Sequence, residues 1–225
     1  DGTSWSSLPR QTTEALNSLW GSGPSDVWAA GNSGTLLHYD GKTWSPANTR
    51  TDGVIYKLFA SGPRDVWATG YGPLRHFDGT TWQSLNVGTN AHLQGVWASD
   101  SSHAWLAGEN GTIMRYDGRA WEKSPSGTTV QLKAVWGSGP GDVYAAGERG
   151  TLLHFDGNKW QPGDYKTQRT LYAVHGSGPA DVYVTESSGN VLYFNGKSWT
   201  VLPTGSTATL GGIWARAPGD TWLAG

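Results

Sequence analysis

One unit of about 39 residues, repeated end to end, dominates this chain. Copies begin at Leu16, Ile55, Leu93, Leu132, Leu171 and Leu210, at intervals of 39, 38, 39, 39 and 39 residues. A fixed period of this size marks a repeat architecture, in which each unit buries its apolar face only by stacking on its neighbours. The array, more than any single residue, therefore sets the fold.

The copy from Leu132 to Thr170 shows what one unit encodes. Leu132–Trp136 is a short apolar run closed by Gly-Ser-Gly-Pro, a cluster of turn residues. Asp142–Ala146 reads as a second strand, residues 147–150 as a turn, and Thr151–Phe155 as a third strand. Asp156-Gly157 predicts a type I′ hairpin, which needs positive φ at both central positions. Lys159–Gln161 begins a fourth strand, and Tyr165–Thr170 is a polar connector. Four short antiparallel strands in about 40 residues is the pattern of a propeller blade. The 33 glycines and 11 prolines fall in every unit, which argues against helical repeats of similar length.

The expected architecture is all-β: one domain, residues 1–225, forming a six-bladed β-propeller. Its blades span residues 16–54, 55–92, 93–131, 132–170 and 171–209, with a sixth assembled from 210–225 and 1–15. Five blades with loose ends is the alternative. Asp1-Gly2-Thr3-Ser4-Trp5 matches Asp40-Gly41-Lys42-Thr43-Trp44, so residues 1–15 read as a fourth strand and connector. Leu210–Gly225 matches Leu16–Gly31, a first and a second strand. The two ends together are eight residues short of a unit, and the missing part corresponds to the third strand, Asn32–Tyr39. Three readings follow: a trimmed or processed chain, a slot that accepts a strand from another chain by β-augmentation, or a piece of a longer or permuted array.

Composition bounds function. A net charge of −2 gives no electrostatic case for nucleic acid or an anionic membrane. No apolar run approaches the 18 residues of a membrane span. The absence of cysteine excludes disulfides and thiol chemistry within this sequence. No phosphate-binding loop, Gly-x-Ser-x-Gly elbow or His-Glu-x-x-His motif is present.

Fourteen tryptophans are the distinctive resource. Trp5, Trp44, Trp82, Trp121, Trp160 and Trp199 recur after the Asp-Gly turn and suit packing between blades. Trp28, Trp67, Trp105, Tyr144, Tyr183 and Trp222 recur on the second strand. These read either as core or as aromatic platforms for a ligand such as a sugar, whose C–H face stacks on a ring. With His175, which stands where other copies carry Trp20, Phe59, Trp97, Trp136 and Trp214, they form the candidate ligand-binding set. His103 also breaks the repeat, and Glu186 replaces a glycine. Asp40, Asp78, Asp117 and Asp156, and separately Asp26, Asp65, Asp142, Asp181 and Asp220, suit turn capping. Spread once per blade around a ring, they do not form the close pair that glycosidase chemistry requires. His38, His76 and His154 share one position on strand three, too far apart for one tetrahedral metal site. No catalytic residue, metal or cofactor is expected.

The unit Trp-Gly-Ser-Gly-Pro-x-Asp-Val-Trp-Ala followed by Gly-Thr-Leu-Leu-His-Tyr-Asp-Gly-x-x-Trp resembles tandem propeller repeats of secreted bacterial proteins, myxobacterial ones especially. Its Asp-Val-Trp and Asp-Gly-x-x-Trp elements are similar to those of bacterial propeller lectins, and more loosely to the Asp-box of sialidase-like propellers. Here glycine follows aspartate directly and the tryptophan is one residue closer than in the Asp-box. The resemblance covers the whole chain. It implies a secreted or cell-surface, non-catalytic binding module with several equivalent carbohydrate sites that gain by avidity. Propellers host unrelated activities, so two other readings stand beside it. One is a structural or protein-interaction scaffold, natural or engineered, with no small ligand. The other is a hydrolase that uses the central channel. The expected partners are glycans or a protein.

Overall fold

A computed structural model of the chain describes Ser7 and residues 9–49 and 51–225. The Asp1–Trp5 fourth-strand signal, with the packing role read for Trp5, lies outside these residues.

The first sheet holds β1 (Leu16–Gly23), β2 (Asp26–Gly31), β3 (Leu36–Tyr39) and β4 (Trp44–Pro46). The second holds β5 (Ile55–Gly62), β6 (Asp65–Gly70), β7 (Leu74–Phe77) and β8 (Trp82–Leu85). The third holds β9 (Leu93–Asp100), β10 (His103–Gly108), β11 (Ile113–Tyr116) and β12 (Trp121–Lys123). The fourth holds β13 (Leu132–Gly139), β14 (Asp142–Gly147), β15 (Leu152–Phe155) and β16 (Trp160–Pro162). The fifth holds β17 (Leu171–Gly178), β18 (Asp181–Glu186), β19 (Val191–Phe194) and β20 (Trp199–Leu202). The last contains, among the described residues, β21 (Gly212–Ala217) and β22 (Asp220–Ala224). Every four-stranded sheet is an antiparallel meander with its strands in chain order. The first strands stand side by side, β1 next to β5, then β9, β13, β17 and β21.

Two side-chain layers join neighbouring sheets. On the inner strands, an aromatic ring covers a glycine of the next sheet. A Cβ at Gly137 would lie 2.8 Å from the Trp97 ring, and one at Gly176 2.7 Å from the Trp136 ring. These glycines are required because the indole occupies the space of a side chain. Farther out, the fourth-strand tryptophan of the second to fifth sheets meets the second-strand aromatic of the sheet before it, edge to face. The pairs are Trp82 on Trp28 (5.5 Å between centroids), Trp121 on Trp67 (5.7 Å), Trp160 on Trp105 (5.5 Å) and Trp199 on Tyr144 (6.0 Å). Such contacts add about 0.5–1.5 kcal/mol each beyond burial.

The loop chemistry differs from the expected type I′ turns. In the Asp-Gly loops only the glycine has positive φ, 94° at Gly41 and 92° at Gly157. The loop spans four residues, and the Asp156 carboxylate accepts the backbone N–H groups of Asn158 (2.9 Å) and Lys159 (3.0 Å). That Asx arrangement replaces the second left-handed residue. Two successive positive-φ residues occur instead between strands two and three, at Ser33-Gly34, Asn110-Gly111 and Arg149-Gly150. A Gly157→Ala change forces an L-residue into the left-handed region. It is expected to lower stability by about 1–2 kcal/mol in chemical denaturation, whereas Asn158→Ala beside it leaves the midpoint unchanged.

Candidate functional site: the seam between the first and last sheets

Five of the six second-strand aromatics are core. Trp28, Trp67, Trp105, Tyr144 and Tyr183 are only 1–6 % exposed. One face of each ring is covered by strand three of its own sheet. His38 stacks on Trp28 at 4.1 Å, His76 on Trp67 at 3.9 Å and His154 on Tyr144 at 4.4 Å, while Tyr193 lies tilted by 30° against Tyr183 at 4.9 Å. The Arg115 guanidinium lies 5.4 Å from the Trp105 centroid. On the first four rings a fourth-strand tryptophan meets the ring from the next sheet. At this burial the five rings serve as core, which favours the packing reading of them over that of ligand platforms.

The histidines and aspartates form a second repeated device. Nε2 of His38, His76 and His154 lies 2.7, 2.7 and 2.6 Å from Oδ1 of Asp26, Asp65 and Asp142. The other carboxylate oxygen accepts the hydroxyl of Ser22, Ser61 or Ser138. These aspartates therefore bridge the inner, second and third strands, a longer reach than turn capping. Burial raises the Asp65 and Asp142 carboxyls, but the histidine and serine bonds outweigh it and hold both below the usual carboxylate range. His103 makes a local bridge to Asp100 at 3.0 Å. Glu186, 3 % exposed, accepts hydrogen bonds from the Thr167 and Ser188 hydroxyls, both at 2.9 Å.

His175 is half-buried in the inner aromatic layer. Its ring lies 5.7 Å from that of Trp136, and Nδ1 accepts the backbone N–H of Ala215 from β21 at 3.2 Å. Burial, helped by the charge of Lys57, depresses its pKa to about 4. A neutral ring that packs and accepts one bond accounts for His175 without a ligand.

Trp222 is different. It occupies the same repeat position as Trp105, yet is 52 % exposed where Trp105 is 1 %. Its Nε1 donates to Asp220 at 3.2 Å. Trp222 lines an open cleft of about 730 Å³ between β1–β2 and β21–β22, together with Leu16, Leu19, Ile213, Trp214 and Leu223. Leu19 is 69 % exposed and Trp214 49 %. By repeat position Trp214 corresponds to the rings that cover Gly137 and Gly176, and Gly21 corresponds to those glycines. The atoms nearest a Cβ at Gly21 nevertheless belong to Asp26 and Val27. The inner aromatic layer thus stops at this seam.

Among the described residues, Lys57 is the one cationic side chain lining the cleft. Other first strands carry Ser18, Gly95, Ala134, Ala173 and Gly212 at this position. A Cβ on Gly95 would lie 3.0 Å from the Ala134 Cα of the neighbouring strand. A long side chain cannot fit between such strands, and Lys57 lines the wall of the cleft instead. Burial lowers its pKa. The sequence reading passed over Lys57, although its mismatch with five small residues was visible there.

A second cavity, about 690 Å³, lies between the second and third sheets and is lined by Trp67, His76, Tyr116, Arg119 and Trp121. Trp67, His76 and Trp121 already serve the interlocking contacts above. The seam differs in gathering, among the described residues, five of the eight exposed large apolar side chains.

No family model matches the sequence, and no curated protein matches it. Solved structures do match. YCF48 from Cyanidioschyzon merolae superposes with a TM-score of 0.70 at 17 % identity, over 96 % of this chain and 80 % of that one. The likeness is one of fold. This chain is a tandem-repeat β-propeller. A structure of YCF48 bound to D1 peptide matches this propeller at a TM-score of 0.52 and 16 % identity, covering 96 % and 92 % of the two chains. The extracellular domain of a hybrid two-component system from B. thetaiotaomicron matches at 0.74 and 12 % identity. It covers 94 % of this propeller and 32 % of that chain.

Proposed function

We propose that this propeller is a non-catalytic protein-interaction module that binds an extended polypeptide in the seam. One observation carries the reading: Leu16, Leu19, Trp214, Trp222 and Leu223, all exposed, surround a single cleft beside the outer edge of β22. Contiguous exposed apolar surface of this kind marks interaction sites, and a strand edge supplies main-chain hydrogen bonds to an extended peptide. A peptide-bound propeller among the structural neighbours supports the same reading. The engaged carboxylates of the histidine and Asx devices support a non-catalytic role, since each is held by structural partners.

This ordering reverses the sequence expectation, which placed glycans first. The exposed indole of Trp214 is the observation that favours a sugar, because it can stack. The location we propose is extracellular or at the cell surface, in line with one neighbour that is an extracellular domain. No helix among the described residues is long and apolar enough to cross a membrane.

Selection of extended peptides against the chain is expected to yield binders whose affinity falls at least about tenfold in Leu19→Ser and Trp214→Ala, the size of an interface hot spot. Val201→Ser, at an exposed position on β20, leaves them unchanged. Binding that is lost in Val201→Ser and kept in Leu19→Ser would move the site off the seam. Failure to select any peptide, with a positive glycan array quenched through Trp222, would return the assignment to carbohydrate.

A further inference from the structure

Charge on the inner strands is matched everywhere but at one position. Among the described residues, β1, β5, β9, β13, β17 and β21 carry five side chains of Asp, Lys, Arg or His. Four of them have a partner within the protein. Lys133 Nζ lies 3.2 Å from Glu148, and Arg216 Nε lies 2.9 Å from Asp220. Asp100 pairs with His103 at 3.0 Å. His175 accepts the Ala215 N–H. The fifth, Lys57, has neither a hydrogen bond nor a carboxylate among the described residues.

The place of Lys57 in the repeat sharpens the contrast. Its equivalents Ser18, Gly95, Ala134, Ala173 and Gly212 are small, and the close approach of Gly95 to Ala134 shows why. Lys57 is half-buried on β5. It lines the inner cleft with Ser18 of β1 and Gly212 of β21, and its charge reaches His175 of β17. Its surroundings are therefore first strands, on the inner side of the sheets and away from their outer edges. No Asp or Glu is among the described residues that line the cleft.

A cation partly withdrawn from water without a counter-charge is costly. Burial accordingly lowers the Lys57 pKa. His175 does not relieve it. The ring is neutral, and with Nδ1 an acceptor its other nitrogen is a donor. A group with a negative charge is what this position lacks. One ammonium beside a neutral ring balances a single charge, whereas the second charge of a phosphate would stay uncompensated in a half-buried site.

We infer that Lys57 is a binding site for a singly charged carboxylate, held by its ammonium on the inner side of the propeller. The ammonium–carboxylate contact is a charge-assisted hydrogen bond. The carboxylate belongs either to a free small molecule or to a bound polypeptide, and the chemistry at Lys57 is the same for both. The inference stands apart from the peptide reading, because it rests on Lys57 and not on exposed apolar side chains.

The test titrates sodium acetate into the chain at neutral pH, with sodium chloride holding the ionic strength constant, and follows the Lys57 ε-methylene resonance by NMR. The expected result is saturable binding, with at least about tenfold weaker affinity in Lys57→Met. Bound acetate is also expected to raise the Lys57 pKa, since it favours the charged form. If Lys57→Met fails to fold, that shift in the parent chain decides. Unchanged affinity in Lys57→Met, or a Lys57 resonance indifferent to acetate, overturns the site. Tighter binding of inorganic phosphate than of acetate overturns the assignment to a single charge. Leu19→Ser separates the two readings, since it weakens selected peptides and leaves acetate binding unchanged. Failure to select any peptide leaves the acetate result standing. Acetate that displaces a selected peptide assigns the carboxylate to a polypeptide, and acetate that binds without displacing it assigns a free molecule.

Discussion

Acidification from about pH 6.5 to about pH 4 is expected to cost this protein about 3 kcal/mol through one side chain, His175. Its pKa in the folded chain is about 4, against an ordinary 6.5. Between those values the unfolded chain takes up a proton that the folded chain refuses, so stability falls as pH falls through this window and is fully present above it. The cause is structural. The ring is packed against Trp136, Nδ1 is committed as an acceptor to the Ala215 N–H, and the Lys57 charge acts against a second cation. His175→Trp installs the residue that most copies carry here. Urea unfolding of the two proteins at pH 7 and pH 4.5 should show a loss in the parent that the variant largely lacks. An equal loss in both would assign the acid sensitivity elsewhere. The aspartates held low by backbone and histidine bonds contribute their own loss lower down, as for Asp156, whose pKa is about 2.

The second large effect is a contrast between equivalent tryptophans. Trp105→Ala empties a site that is 1 % exposed and touches Trp160 at 5.5 Å and Phe155 at 4.8 Å. Removal of a buried aromatic of this size costs about 3–5 kcal/mol, a large share of the 5–15 kcal/mol typical of a folded domain. Trp222→Ala, at the same place in its repeat, is expected to stay within about 0.5 kcal/mol of the parent. Denaturant midpoints of the pair decide the matter. Comparable losses would mean that Trp222 is structural, and would remove it from the proposed binding surface. Together the two variants separate positions that hold sheets together from positions that face a partner.

Much of this was open to reading in one dimension. The 39-residue period, the four strand segments per unit and the interlocking role of Trp82, Trp121, Trp160 and Trp199 all follow from residues present in every copy, because every copy meets the same packing demand. The loop details were less legible. Asp-Gly permits two backbone solutions, and the Asx form is selected only when the Asp156 carboxylate meets the Asn158 and Lys159 amides. The role of Asp26, Asp65 and Asp142 was hidden for a related reason. Their partners are eleven or twelve residues away, on strands whose register sequence spacing does not reveal.

Lys57 and His175 could be singled out as departures from the repeat, but their shared surroundings could not. They stand on β5 and β17, three sheets apart in the chain, and interact across the inner strands only because those strands are arranged side by side. Burial of Trp105 and exposure of Trp222 is the clearest division. Both sit in the same motif, after Asp or His at the start of strand two, and local sequence assigns them the same backbone. What sets a ring's accessibility is the side chains of the third strand and the next sheet against it. That is decided by which segments meet in space, a quantity that belongs to the tertiary structure and to no single repeat.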